Sequence, residues 1–294
     1  MILVTYGTPH GLALGMKLKQ GVLDIAAARE RLGAMETPAT PEALFQMGSA
    51  ALPLLESLAA RAAGYPELFM EESQLQLGPP VPAPSKLICI GLNYRKHALE
   101  SKMAIPTSPV VFSKFANAIA GPGDEIPLPG CAQEYDYEAE LVAVIGRRAR
   151  NVSVAEALDY VLGYCNSNDL TARDLQFRTS QWLLGKSLDR FMPLGPYLVT
   201  ADQMGDPQAL QIRLWLNGEL RQESSTADMI FSVAEVVSYL SQHMTLEPGD
   251  LISTGTPEGV IMGMAERVWL KPGDRVEVEV EGLGRLTNTM VAES

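Results

Sequence analysis

Apolar residues along this chain fall mostly into short runs broken by Gly, Pro, Asn and Asp, a pattern of many strands and few helices. Near the N-terminus it predicts strands over Ile2 to Thr5, Leu12 to Leu18 and Val22 to Ala26, parted by Gly7, Pro9 and Gly21. From Pro41 to Ala63 the spacing becomes helical, through Leu44, Met47, Leu54, Leu55 and Leu58. Thr40 suits the N-cap there, with Pro41 in the first turn. Further strands are predicted over Lys86 to Gly91, Val110 to Ser113, Glu138 to Gly146, Val161 to Asn166, Tyr197 to Thr200, Gln211 to Asn217, Asp250 to Thr254 and Arg275 to Val280. Two later helices are predicted. One spans Ser153 to Tyr160, with Ser153 and Glu156 as a capping box, and the other spans Ser232 to His243. Asn217-Gly218 marks a tight hairpin, and Pro-Gly turns precede Asp250 and Asp274.

These elements define an α+β chain that is mostly β, with a barrel or rolled sheet rather than a doubly wound one. The seam is Leu77 to Pro84, where four prolines favour extended chain. It divides a small N-terminal β-rich domain, 1–77, from a large domain, 86–294, through a Pro-rich linker, 78–85.

Composition narrows the function. A net charge of -12 disfavours binding to nucleic acid or to an anionic membrane. The first residues lack a basic region followed by an apolar one, and no apolar run reaches membrane-spanning length, so a soluble cytoplasmic protein is expected. Cys89, Cys131 and Cys165 are expected to be buried free thiols, with no C-x-x-C pair for zinc. No G-x-G-x-x-G or phosphate-binding loop is present.

The most informative stretch is Asp136 to Glu140, followed by the apolar run Leu141 to Ile145. Alternation along a strand points Glu138 and Glu140 the same way. Two like charges side by side need a cation between them, unless both face solvent. Asp169 follows the apolar strand Val161 to Cys165 and is well placed as a third carboxylate. Three carboxylates without Cys make a hard oxygen site, suited to Mg²⁺, Mn²⁺ or Ca²⁺. Among three histidines, His97 has Glu100 three residues on, which in a helix shares its face. That pair suits a water-activating base and equally a surface ion pair. Lys186, after an apolar run, is either half-buried beside an anion or snorkelling to solvent. Ser253 to Pro257 is a hydroxyl-rich turn able to hold an anionic group.

Together these segments resemble the fumarylacetoacetate hydrolase family, in family order from about residue 85 onward. The motifs are Gly91 to Tyr94 with His97 and Glu100; Asp136 to Leu141; Asn168 to Gln176; Gly185 to Ser187 with Pro193 to Pro196; Asn217 to Glu219; and Thr254 to Pro257. The N-terminal region also looks like the small domain of short bacterial members. The resemblance implies a mixed β-roll around Mg²⁺ or Mn²⁺ in a homodimer. It makes Glu138, Glu140 and Asp169 the metal ligands and His97 with Glu100 a dyad on a lid. Lys186 becomes an enolate-stabilising catalytic residue, and Gln176 and Thr256 bind substrate. Ile90 and Leu92 stand where the long animal-type enzymes carry a further ligating Asp, so three carboxylates are expected. The implied reaction is hydrolysis of the C–C bond of a 2,4-dioxo acid, such as an acylpyruvate or fumarylpyruvate, through a metal-bound enolate. Oxaloacetate decarboxylation, 2-oxo-acid hydration and hydroxymuconate isomerisation are the alternatives within the family.

Overall fold

A computed structural model describes residues 1–293. Among the described residues a twelve-stranded mixed sheet forms the spine. Its main path runs Phe69–Met70, Gly21–Asp24, Gly11–Leu18, Ile2–Thr8, Met192–Thr200, Val161–Asn168, Ala139–Ile145, Leu251–Ser253, Leu87–Gly91 and Val110–Ser113. The N-terminal strand joins it by pairing Ile2 with Val199 and Leu3 with Leu198. A second sheet of five strands holds Glu219–Ser225, Gln211–Leu216, Arg275–Val280, Arg285–Ala292 and Glu125–Leu128. The fold is thus α+β, with β structure dominant.

Strand Ala139–Ile145 is buried at every position because it lies between two cores. Ala139, Leu141, Ala143 and Ile145 enter one core, and Val142 and Val144 enter the other. The period of two that the sequence displays is therefore spent on two apolar layers rather than on a wet and a dry face. At Asn217-Gly218 both residues have positive φ, 54° and 82°, and the hairpin turns there as expected.

Several expectations change. The third strand stops at Asp24, whose carboxylate accepts from Ala27 N–H and caps a helix over Ile25–Leu32. The segment from Pro41 is helical over Pro41–Met47 and Leu52–Ala62, with a tight turn at Gly48–Ala51 between. Length and composition would let Pro41–Ala62 cross a membrane, but it sends Leu44, Leu55 and Leu58 into the core instead. Over Ser153 to Tyr160 only a single tight turn forms, at Ala157–Tyr160. The Ser153 hydroxyl does meet Glu156, at 2.6 Å, yet Val154 and Leu158 remain exposed, so there is no apolar face to dock a helix. Helix Val233–His243 carries the full capping box, formed by Ser232 and Glu235. Cys89 and Cys165 are buried free thiols, whereas Cys131 is exposed in a turn.

Candidate metal centre and active site

Register brings the acids together. Ala139 pairs with Asn168, so the start of strand Ala139–Ile145 lies beside the end of Val161–Asn168. Glu138, Glu140 and Asp169 flank that junction and are almost fully buried. One oxygen from each lies within 4.8 Å of the others. Strand Leu251–Ser253 runs parallel to Leu87–Gly91. Both end at the same side of the sheet, delivering Ser253 and Gly255 from one and Asn93 from the other.

The three carboxylates have different electrostatic surroundings. Glu138 accepts from Lys186 Nζ at 2.7 Å and lies 2.7 Å from Arg173 Nη2. Burial raises its carboxyl, but Lys186 and Arg173 outweigh that and pull it down to about 2. Asp169 is held on both oxygens, Oδ1 by Lys114 and Oδ2 by Lys186 at 2.8 Å. Glu140 accepts only neutral hydrogen bonds, from Ser253 Oγ at 2.5 Å and Gly255 N–H at 2.9 Å. Burial, then the charges of Asp169 and Glu138, push it well above the ordinary carboxylate range. It forms no ion pair among the described residues. Three crowded oxygen donors, one of them lacking a cation, fit a hard divalent ion.

A small cleft opens above Glu138 and Glu140. His97, Gln176, Lys186 and Thr256 line it, so four of the expected residues share it with these two glutamates. His97 sits on helix Arg95–Glu100 and is only 5% exposed, which removes the surface ion pair as its explanation. Its Nδ1 lies 3.4 Å from Glu100 Oε2, a long contact of the kind that tightens when substrate binds. The helix is fixed through Asn93, whose side chain donates to Phe231 and Thr254 carbonyls at 3.0 and 2.8 Å. Lys186 does not snorkel. Its ammonium is buried, and two of its three N–H groups go to Glu138 and Asp169.

Three residues here, Arg173, Gln222 and Lys114, had no assigned role in the sequence. Arg173 joins Glu138 to Asp136, with Nε donating to Asp136 at 2.8 Å. Gln222 accepts from Ala139 N–H, between the two glutamates, and donates to Thr256 Oγ1, both at 2.9 Å. Lys114 is completely buried and donates to Asp169 and to the carbonyls of Leu170 and Phe191. Burial lowers its pKa despite the pull of Asp169. Lys114→Met should cost about 3–5 kcal/mol, because it strips a buried carboxylate of one of two cations. Thermal melts should show this as a fall of roughly 10 °C. An unchanged melting temperature would mean that Lys186 alone compensates Asp169.

A small mixed-β cleft with a buried acid triad and a facing histidine defines a metal-binding enzyme of small molecules. The family model described as fumarylacetoacetate hydrolase C-terminal matches residues 86–291. The chain is 41% identical to a mitochondrial oxaloacetate tautomerase of Bos taurus, over 99% of this chain and 92% of that protein. A putative HpcE protein from Mycobacterium smegmatis superposes with TM-score 0.85 at 35% identity, both chains being covered in full. Maleylpyruvate hydrolase from a Sphingobium species, solved with manganese(II) and pyruvate, gives TM-score 0.79 at 30% identity, again over both full chains. The chain belongs to the fumarylacetoacetate hydrolase family.

Proposed function

We propose that this chain works with a divalent ion, Mg²⁺ or Mn²⁺, to move a proton at the carbon beside the keto group of a small 2-oxo acid. Its reaction is the interconversion of keto and enol oxaloacetate. The observation supporting this is that buried His97 lines one small cleft together with Glu138 and Glu140, two of the three clustered acids. Near full-length likeness to an oxaloacetate tautomerase favours this outcome of the proton transfer.

Held by Glu138, Glu140 and Asp169, the ion would supply Lewis acidity that makes the C3 protons of the substrate labile. Glu100 accepts from Nδ1–H of His97 and so leaves Nε2 free as the base. His97 takes a proton from C3. Delivery of that proton to the enolate oxygen gives the enol, and its return to C3 gives the keto form. The buried ammonium of Lys186, which lines the same cleft, would stabilise the growing negative charge. Gln176 and Thr256 hold the substrate carboxylate.

Hydrolysis of an acylpyruvate or fumarylpyruvate is the second reading. It is favoured by Glu100, which a water-activating base requires, and by likeness to maleylpyruvate hydrolase. His97 then takes its proton from water, hydroxide adds to the C4 carbonyl, and the C3–C4 bond breaks to release the pyruvate enolate.

The test is a substrate panel with metal-loaded protein. Ultraviolet decay of enol oxaloacetate is followed beside pyruvate release from acylpyruvate, fumarylpyruvate and oxaloacetate. Accelerated decay without pyruvate supports the tautomerase. Faster pyruvate release from a 2,4-dioxo acid replaces it with the hydrolase, and inertness toward the whole panel removes both.

A further inference from the structure

Asp136 is a fully buried carboxylate that the proton transfer does not use. Its Oδ1 accepts from Tyr137 N–H at 2.9 Å and Ile261 N–H at 2.8 Å. Its Oδ2 accepts from Arg173 Nε at 2.8 Å and Met262 N–H at 3.1 Å. These donors come from two directions. Arg173 leads back to the triad, through its 2.7 Å contact with Glu138. Ile261 and Met262 belong to the loop that follows strand Leu251–Ser253.

That loop also reaches Glu140, Glu100 and the cleft wall. Gly255 N–H donates to Glu140, and Thr256 and Met262 line the cleft. Gly259 N–H donates to both oxygens of Glu100, at 3.1 and 3.2 Å. Gly259 has φ of +96°, and a side chain there would strike Arg221 carbonyl at 2.3 Å, so only glycine presents its N–H in this way. Gly263 packs so closely that a Cβ would come within 2.3 Å of the Glu100 carboxyl carbon.

We propose that Asp136 is a positioning residue that sets the base. It fixes the Ile261–Met262 end of the loop, so that Gly259 and Gly263 hold Glu100 against His97. It reaches no reacting atom and acts through Glu100. The position demands a residue that accepts on both oxygens. Asparagine would turn an NH₂ toward two donors in either orientation, Arg173 Nε and Met262 N–H or Tyr137 and Ile261 N–H.

The inference rests on His97 as the base, so its test includes a measurement that needs no turnover. The chain has three histidines, and ring ¹⁵N shifts report the tautomer of each. Asp136→Asn should move the His97 shifts toward those of Glu100→Gln and leave His10 and His243 alone. Turnover should fall by up to about 10²-fold, with KM and metal affinity nearly unchanged. The double variant should be no slower than Glu100→Gln by itself. His97 shifts that stay at parental values in Asp136→Asn, while Glu100→Gln moves them, would overturn the proposal. If Asp136→Asn does not fold, Gly263→Ala gives the same reading by crowding Glu100 from the loop side; unmoved His97 shifts there also overturn it. Moved shifts in a protein inert toward the whole panel would uphold the positioning role and reject the proposed reaction.

Discussion

Glu140→Gln should abolish high-affinity divalent-metal binding and all metal-dependent turnover, while the chelator-treated protein melts no lower than the parent. The asymmetry of the triad is the reason. Glu138 and Asp169 are each matched by two cationic groups. Removing either would leave buried positive charge unpaired, at a cost of about 3–5 kcal/mol. Glu140 has only Ser253 and Gly255, and a glutamine oxygen accepts from both equally well. The substitution also removes repulsion from Asp169 and Glu138, which helps to raise its carboxyl. Isothermal titration with Mn²⁺ and a thermal melt after chelation check the two halves. Retained metal affinity would show that the other two carboxylates suffice; a large drop in melting temperature would show that Glu140 is structural.

The same raised carboxyl fixes a pH dependence. In the metal-free protein Glu140 keeps its proton above the ordinary value of 4.5. Its contribution to folding is fully present below that value and is lost as pH rises through the raised one. A divalent ion must displace the proton, so apparent affinity climbs with pH until the raised value is passed. Added Mn²⁺ should therefore raise the melting temperature more at higher pH than in mild acid. A pH-independent gain would argue against a protonated Glu140.

The triad was legible because two local rules sufficed. Alternation puts Glu138 and Glu140 on one face, and an acid at the end of the neighbouring strand lands beside them once that strand pairs antiparallel. The cations were much less legible. Lys114 stands 55 residues from Asp169, at the end of edge strand Val110–Ser113, where a lysine ordinarily points to solvent. Nothing local announces that it is buried. Strand Glu219–Ser225 was hidden for a related reason. Its most buried positions are Gln222 and Ser224, so its inward face is polar and carries no apolar alternation. Gln222 is spent on joining Ala139 to Thr256, a link that exists only after the second sheet packs on the first. Local spacing thus pointed to the three acids that the fold gathers into one cluster. The residues that hold them lie far off in sequence, and tertiary packing alone selects them.

Turnover by His97→Ala should fall about 10²- to 10⁴-fold, the usual worth of a positioned general base. Metal affinity should not change, because His97 forms no hydrogen bond or ion pair with Glu138, Glu140 or Asp169 among the described residues. Glu100→Gln should lose less, since the imidazole remains in the cleft and Gly259 N–H still finds an acceptor. Alanine also leaves a small void beside the cleft, so added imidazole should restore part of the rate in His97→Ala and none in Glu140→Gln. The two substitutions therefore separate base from metal within one cleft. Undiminished turnover in His97→Ala, measured under saturating Mn²⁺, would remove the base from both proposed reactions. Proton transfer would then have to fall to another group lining the cleft.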